Sequence, residues 1–384
     1  MENIIFHNYF GNIGQYLIKL DEILISKFNI KLFANTRDEF INGSNKKIAL
    51  FQIENSIASE VRYPNAAKEY VDSIIDVVNS CYYAIFVVPE LHEHSENIIT
   101  ILDQQLTHNN VLVITSVQYN YYEFQKLKLV FWPIWLDAAK LTIHIKEVND
   151  KLVSLNPVSV KNQLFDILLG SGGDQKPHRN FIFEMINNST LKDKVIMNYR
   201  SRDYKNANND YFLDEEGIER IPFGNDVNTI DPKFSHSSQL VKIFNQNVAV
   251  SNIIPISIYE QTAYSIVAET DWLNHFTLIT EKTFKPILAK RLFIVFAGQY
   301  HLKSLRALGF KTFDGIIDET YDTIADPYVR WALAYNQMMW LSTRYQSVIL
   351  ERIRPIVEHN YQLATNFDFE FSKILDNFQL TDPL

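Results

Sequence analysis

In the first 131 residues short apolar runs alternate with amphipathic stretches, and that alternation most narrows the folds open to this chain. Residues 3–6, 48–53, 84–88, 111–115 and 127–131 read as strands, while 13–28 and 66–79 place apolar residues at helical spacing between them. Strands separated by helices cannot pair through tight hairpins. They return beside one another by crossovers, which gives a mostly parallel sheet with helices on both faces. The expected class is therefore α/β.

The pattern weakens between residues 135 and 163, where a polar stretch holds Lys146-Glu-Val-Asn-Asp-Lys151 and Asn156-Pro157, and it resumes at Phe165-Asp-Ile-Leu-Leu-Gly170. The junction is expected there, with 1–155 as a first Rossmann-like domain and 156–326 as a second. In the second, 195–199, 264–268 and 292–297 read as strands, and 179–187 and 283–290 as helices. Beyond Asp326-Pro-Tyr328 the chain reads as helical to about Ala364. Trp331, Tyr335, Met338, Met339, Leu341 and Tyr345 recur there at the spacing of a packed helix face. These helices, within 327–384, are expected to brace both domains. A chain of 384 residues, 47% hydrophobic and 21% charged, has the material for two cores.

Composition also excludes several classes. Cys81 is the single cysteine, so neither an internal disulfide nor a multi-cysteine zinc site can form. No apolar run reaches the length of a membrane span. Met-Glu-Asn-Ile-Ile-Phe-His lacks the basic start of a secretory signal, so a cytoplasmic location is expected. A net charge of −9 disfavours non-specific binding of polyanions, leaving DNA open as a partner only through a local basic cleft.

Two segments carry the chemistry. Gly170-Ser-Gly-Gly-Asp-Gln-Lys-Pro-His-Arg179 follows a strand and opens a helix, with Pro177 suited to the first turn. Backbone N–H groups, a positive helix end and Arg179 meet there, as a diphosphate requires, although the spacing is neither a Walker loop nor GxGxxG. The second segment, 278–298, puts Thr280-Glu281-Lys282 ahead of a helix and a strand. Pro286 lacks an N–H, so Thr283 as the helix cap would keep it in the first turn and leave Glu281 and Lys282 on the loop before it. A carboxylate there can hold ribose hydroxyls, and an ammonium can neutralise a diphosphate. Upstream, Ser265-Ile-Val-Ala-Glu269 adds a hydroxyl and a second carboxylate at a strand end, where open α/β sheets bind ligands.

The order Lys176-Pro-His178-Arg179-Asn-Phe-Ile-Phe-Glu184, then Ser265 to Thr270, then Ile279-Thr280-Glu281-Lys282 followed by Leu292-Phe-Ile-Val-Phe-Ala-Gly298, resembles the donor-binding half of the α-1,3-fucosyltransferase family and its viral and bacterial glycosyltransferase relatives. The likeness covers roughly 164–322. It implies a GT-B fold, in which two Rossmann-like domains face one another, the first for the acceptor and the second for the nucleotide sugar. It implies that Arg179 and Lys282 meet the phosphates, Glu281 the ribose, and that His178, Glu269 and Thr280 also belong to the donor site. Where the family usually has an aromatic residue stacked on the base, this chain has Leu278, so the likeness does not name the base. Residues 308–322 are similar to a subgroup from large viruses and phages, which would put the protein in a host cytoplasm.

The expected activity is transfer of a sugar from a nucleotide-sugar donor to a glycan or similar hydroxyl acceptor, with inversion and without metal or other cofactor. Such a transfer needs a base for the acceptor's proton and cations for the departing diphosphate. Val88-Pro-Glu90-Leu-His92-Glu93-His94, after a strand, is the densest cluster of candidate bases, with Glu90 first and His92 and Glu93 beside it. His7 and Glu54 compete with them. Two histidines two apart make poor zinc spacing, and no Asp-X-Asp stands at a strand end to bridge a donor through a metal. Two other functions fit the same residues. One is a phage-type DNA glycosyltransferase acting on a hydroxymethylated base, with Lys126, Lys128 and Lys140 as its few basic candidates. The other is a sugar-nucleotide-binding protein without turnover.

Overall fold

Five of the expected runs join a sixth in one parallel sheet in the computed structural model of the chain. It describes residues 3–8, 22, 25–26, 30–34, 36–42, 46–53, 66–88, 93–119, 123–155, 159–171, 176–200, 226–227, 240–243 and 246–367. The strands are β1 (Asn3–Asn8), β2 (Ile30–Phe33), β3 (Lys46–Gln52), β4 (Tyr83–Val88), β5 (Val111–Thr115) and β6 (Leu127–Phe131), in the order β2-β1-β3-β4-β5-β6. Every neighbouring pair is parallel. β4 and β5 are buried along their whole length, because helices such as Ala66–Ser80 and Glu93–Gln105 lie over a sheet whose strands are apolar on both faces. Phe51 and Phe86, directly opposite on β3 and β4, stack with ring centroids 4.5 Å apart. The expected helix 13–28 lies almost entirely outside the described residues.

A second parallel sheet is built from β7 (Gln163–Ser171), β8 (Val195–Arg200), β9 (Thr262–Ala268) and β10 (Phe293–Phe296), in the order β10-β9-β7-β8. Read from its β8 edge, the sequence of strands is second, first, third, fourth. The first four strands of the other sheet have the same order. Both are Rossmann-like α/β sheets whose direction of winding reverses between the first and third strands, and such reversals open a crevice at the carboxyl ends. A small sheet of Asp226–Val227, Leu240–Ile243 and Gln246–Ala249 accompanies them.

The described chain divides into two compact units at Trp132/Pro133, ahead of the 155 read from sequence. The polar stretch where the junction is expected folds as the helices Ile134–Lys140 and Lys146–Ser154 of the second unit, Pro133–Phe367. Its helical signal is thin because only Val148 and Leu152 of the second helix are buried. Helices Pro327–Ser342 and Gln346–Asn366 also belong to that unit. Trp331, Met338 and Leu341 reach its core, whereas Tyr345 is 84% exposed, since it caps the second helix after a break at Thr343-Arg344.

Buried Arg330 closes the carboxyl end of this sheet. Its guanidinium donates to the carbonyls of Trp272, Ala297, Ile324 and Ala325, which binds the segment after β9 to the end of β10. Gly298 lets these segments touch: a Cβ there would lie 2.0 Å from the Leu273 carbonyl oxygen.

Candidate functional site

The reversal in the second sheet falls between β7 and β9, and the residues leaving their carboxyl ends are those the sequence singles out. After β7, Lys176 precedes the helix Pro177–Asn187, which carries His178 and Arg179 in its first turn and has no side-chain cap. After β9 come Glu269 and Thr270. The helix Glu281–Leu288 brings Thr280, Glu281 and Lys282 to the same place.

Glu269 is wholly buried and organises this end of the sheet. One carboxylate oxygen accepts from the Thr280 N–H at 3.1 Å and the Thr283 hydroxyl at 2.6 Å, and the other from the Thr280 hydroxyl at 2.6 Å and the Thr270 N–H at 3.1 Å. Four donors fill its two oxygens. Glu269 therefore orients its neighbours. Its own carbonyl accepts from His178 Nε2 at 2.8 Å and from the Arg179 guanidinium at 3.3 Å.

Thr280, not Thr283, caps the helix. Its hydroxyl accepts from the Lys282 N–H at 3.3 Å, and its carbonyl receives the N–H groups of Thr283 and Phe284. Pro286 consequently lies inside the helix, forgoing the bond its N–H would have given the Lys282 carbonyl. Glu269 explains the difference: it takes both threonine hydroxyls, and a buried carboxylate with charge-assisted bonds outweighs one missing main-chain bond. Glu281 is thereby drawn into the helix and is 5% exposed rather than standing on a loop.

Three cations gather on the Glu269–Thr270 segment. Arg179 holds the Glu269 carbonyl and Lys176 the Thr270 carbonyl, while Lys282 Nζ lies 3.0 Å from the Thr270 hydroxyl and 2.9 Å from Glu281. The Lys282 side chain keeps 28% exposure. Burial pushes the Glu281 carboxyl upward, but Lys282 and Lys285 outweigh it and hold the group below the usual carboxylate range. Burial, reinforced by Arg179 and then the two lysines, keeps His178 well below the ordinary histidine range, so its ring is neutral and donates through Nε2. His301, also buried, meets the Thr283 hydroxyl at 3.2 Å.

Ser265 stands apart from this group. It points to the amino half of the sheet, where its hydroxyl donates to Asp166 at 3.0 Å and accepts from Arg291 at 2.8 Å. Asp166 and Arg291 pair at 2.7 Å, both buried, and Arg291 also donates to Thr262 and the Tyr259 carbonyl. Every donor in that cluster is used within the fold. An aspartate inside the apolar run Phe165–Gly170 is the sequence signal that marks it.

Of the candidate bases, Glu90, His92 and Glu54 lie outside the described residues, as do the side chains of Glu93 and His7. Two of the lysines considered for a DNA cleft serve locally: Lys126 Nζ holds the carbonyls of Gln104 and Leu106 at a helix end, and Lys140 holds the Phe367 carbonyl and Asp137. Leu278 is buried, 3% exposed, and offers no face for a base. Among the described residues no three His, Cys, Asp or Glu group as metal ligands, and no helix is long and apolar enough to cross a membrane.

Comparison with protein-family models, curated proteins and solved structures yields no match to this chain.

Proposed function

We propose that the second unit binds a nucleoside-diphosphate sugar and that the protein transfers the sugar, with inversion and without metal, to a hydroxyl of a glycan or similar acceptor. One observation carries the reading. Arg179 and Lys282, arriving from the starts of two different helices, meet on the segment that follows β9, beside the reversal of the sheet. Two helix ends with fixed cations provide the positive field that a diphosphate requires and that stabilises it as a leaving group. In this reading Glu269 positions Thr280 and the helix that bears Lys282. His178 supports the same segment through the Glu269 carbonyl. A contact from Glu281 to the ribose requires its pair with Lys282 to open, because only 7% of its side chain is exposed.

Calorimetric titration of UDP- and GDP-sugars into the full chain tests the reading. Each of Lys282→Ala and Arg179→Ala should weaken donor binding by about 10–100-fold, the loss of one charge-assisted contact. Glu90→Gln should leave binding intact and lower turnover. If both cationic variants bind donor like wild type, the site is wrongly assigned.

A further inference from the structure

Lys176 takes no part in the contacts proposed for Arg179 and Lys282, yet it stands at the centre of the same geometry. It is the residue before Pro177, at the start of an eleven-residue helix that no side chain caps, so its ammonium and the N–H groups of the first turn share one end. Its Nζ donates to the carbonyl of Thr270, the residue whose hydroxyl holds Lys282 Nζ. Two ammonium groups from separate helices thus converge on a single threonine, with the Arg179 guanidinium on the preceding carbonyl. The neutral ring of His178 reports the same convergence, since all three charges act on it.

We infer that Lys176 is a third cationic contact of the donor pocket and that the three cations together select a diphosphate over a monophosphate. The inference rests on the donor reading. Like charges held this close repel, and an anion placed among them turns that repulsion into attraction. Lys176 and Arg179 approach from one helix start and Lys282 from the other, so two linked phosphoryl groups engage both sides where one engages a single side. The Thr270 carbonyl keeps the Lys176 ammonium in place before the ligand arrives, which limits the side-chain entropy lost on binding.

The full chain is titrated with inorganic phosphate, inorganic pyrophosphate, UMP, UDP, GMP and GDP. Wild type should bind the better nucleoside diphosphate and pyrophosphate at least about tenfold more tightly than the matching monophosphates. Lys176→Gln retains a donor for the Thr270 carbonyl but removes the charge. It should cost diphosphates about 10–100-fold and abolish the preference, while Lys176→Arg retains most of it. Circular dichroism and the melting midpoint establish that each variant is folded. If Lys176→Gln keeps the wild-type preference while Lys282→Ala loses it, Lys176 is only a clamp on Thr270 and the inference is overturned. It is equally overturned if wild type shows no diphosphate preference. If pyrophosphate shows the Lys176-dependent preference but UDP, GDP and their sugars bind no better than pyrophosphate, the inference stands and the donor reading falls.

Discussion

Glu269→Gln is the most informative single substitution, because the carboxylate has no orientation in which an amide can replace it. Each of its oxygens faces one main-chain N–H, that of Thr280 on one side and of Thr270 on the other, both at 3.1 Å. Whichever way the amide is turned, its NH2 meets an N–H. The threonine hydroxyls can rotate to accept, but a main-chain donor cannot, so one buried N–H loses its partner at about 1–3 kcal/mol. The remaining bonds also lose the strength that the charge lends them. Together the loss is roughly 2–4 kcal/mol. For a unit the size of Pro133–Phe367, at about 2–4 °C per kcal/mol, that corresponds to a midpoint lowered by roughly 5–15 °C. Trp272 and Trp331 belong to this unit and pack 5.7 Å apart, so tryptophan fluorescence follows its unfolding. A Glu269→Gln midpoint within about 2 °C of wild type would refute the organising role of the carboxylate.

Gly298→Ala forces a methyl to within 2.0 Å of the Leu273 carbonyl oxygen, so the variant should lose at least about 2 kcal/mol on denaturant unfolding; an unchanged midpoint would mean that the contact relaxes freely. Stability should also fall on acidification through two buried histidines. Burial holds His178 and His301 below the ordinary value of 6.5, so the unfolded chain takes up protons near that pH that the folded chain refuses. Their contribution is complete above about pH 6.5 and is lost as pH falls toward the folded values, by up to about 1.4 kcal/mol per pH unit for each group. Denaturant midpoints between pH 5 and 8 should show a shallower slope for His178→Asn than for wild type, and equal slopes would count against the assignment.

The physics of parallel sheets decides how much of this fold is legible in the sequence. Continuous apolar runs between amphipathic stretches mark strands covered on both faces, so β4 and β5 can be read to within a residue and the second sheet is evident as well. The helix Lys146–Ser154 escapes because two buried residues are too few to give a periodic signal. The cap of the Glu281 helix is misread for a different reason. Local rules favour keeping Pro286 in a first turn, but Thr280 and Thr283 answer to Glu269, eleven and fourteen residues upstream, and no local rule contains that carboxylate. Ser265 is drawn into the expected site by its nearness in sequence to Glu269. Four residues of strand carry a side chain about 13 Å away, which is enough to move it from the ligand-binding end to the Asp166–Arg291 pair.

The repeated strand order bears on where the first unit would hold a ligand. Its sheet reverses between β1 and β3, the strands that end at Asn8 and Gln52. The same rule, applied to β7 and β9, selects the segments bearing Arg179 and Glu269, which the side-chain geometry brings together independently. β4, which Glu90 follows in sequence, lies one strand spacing of about 4.8 Å beyond β3. His7 belongs to β1, and Glu54 follows β3 by two residues in sequence; β1 and β3 are the two strands that form the reversal. Density of titratable groups favours the Glu90 cluster, whereas topology favours His7 and Glu54. A base must reach a proton in a bound substrate, so turnover of Glu90→Gln, His7→Gln and Glu54→Gln measured side by side separates the two criteria.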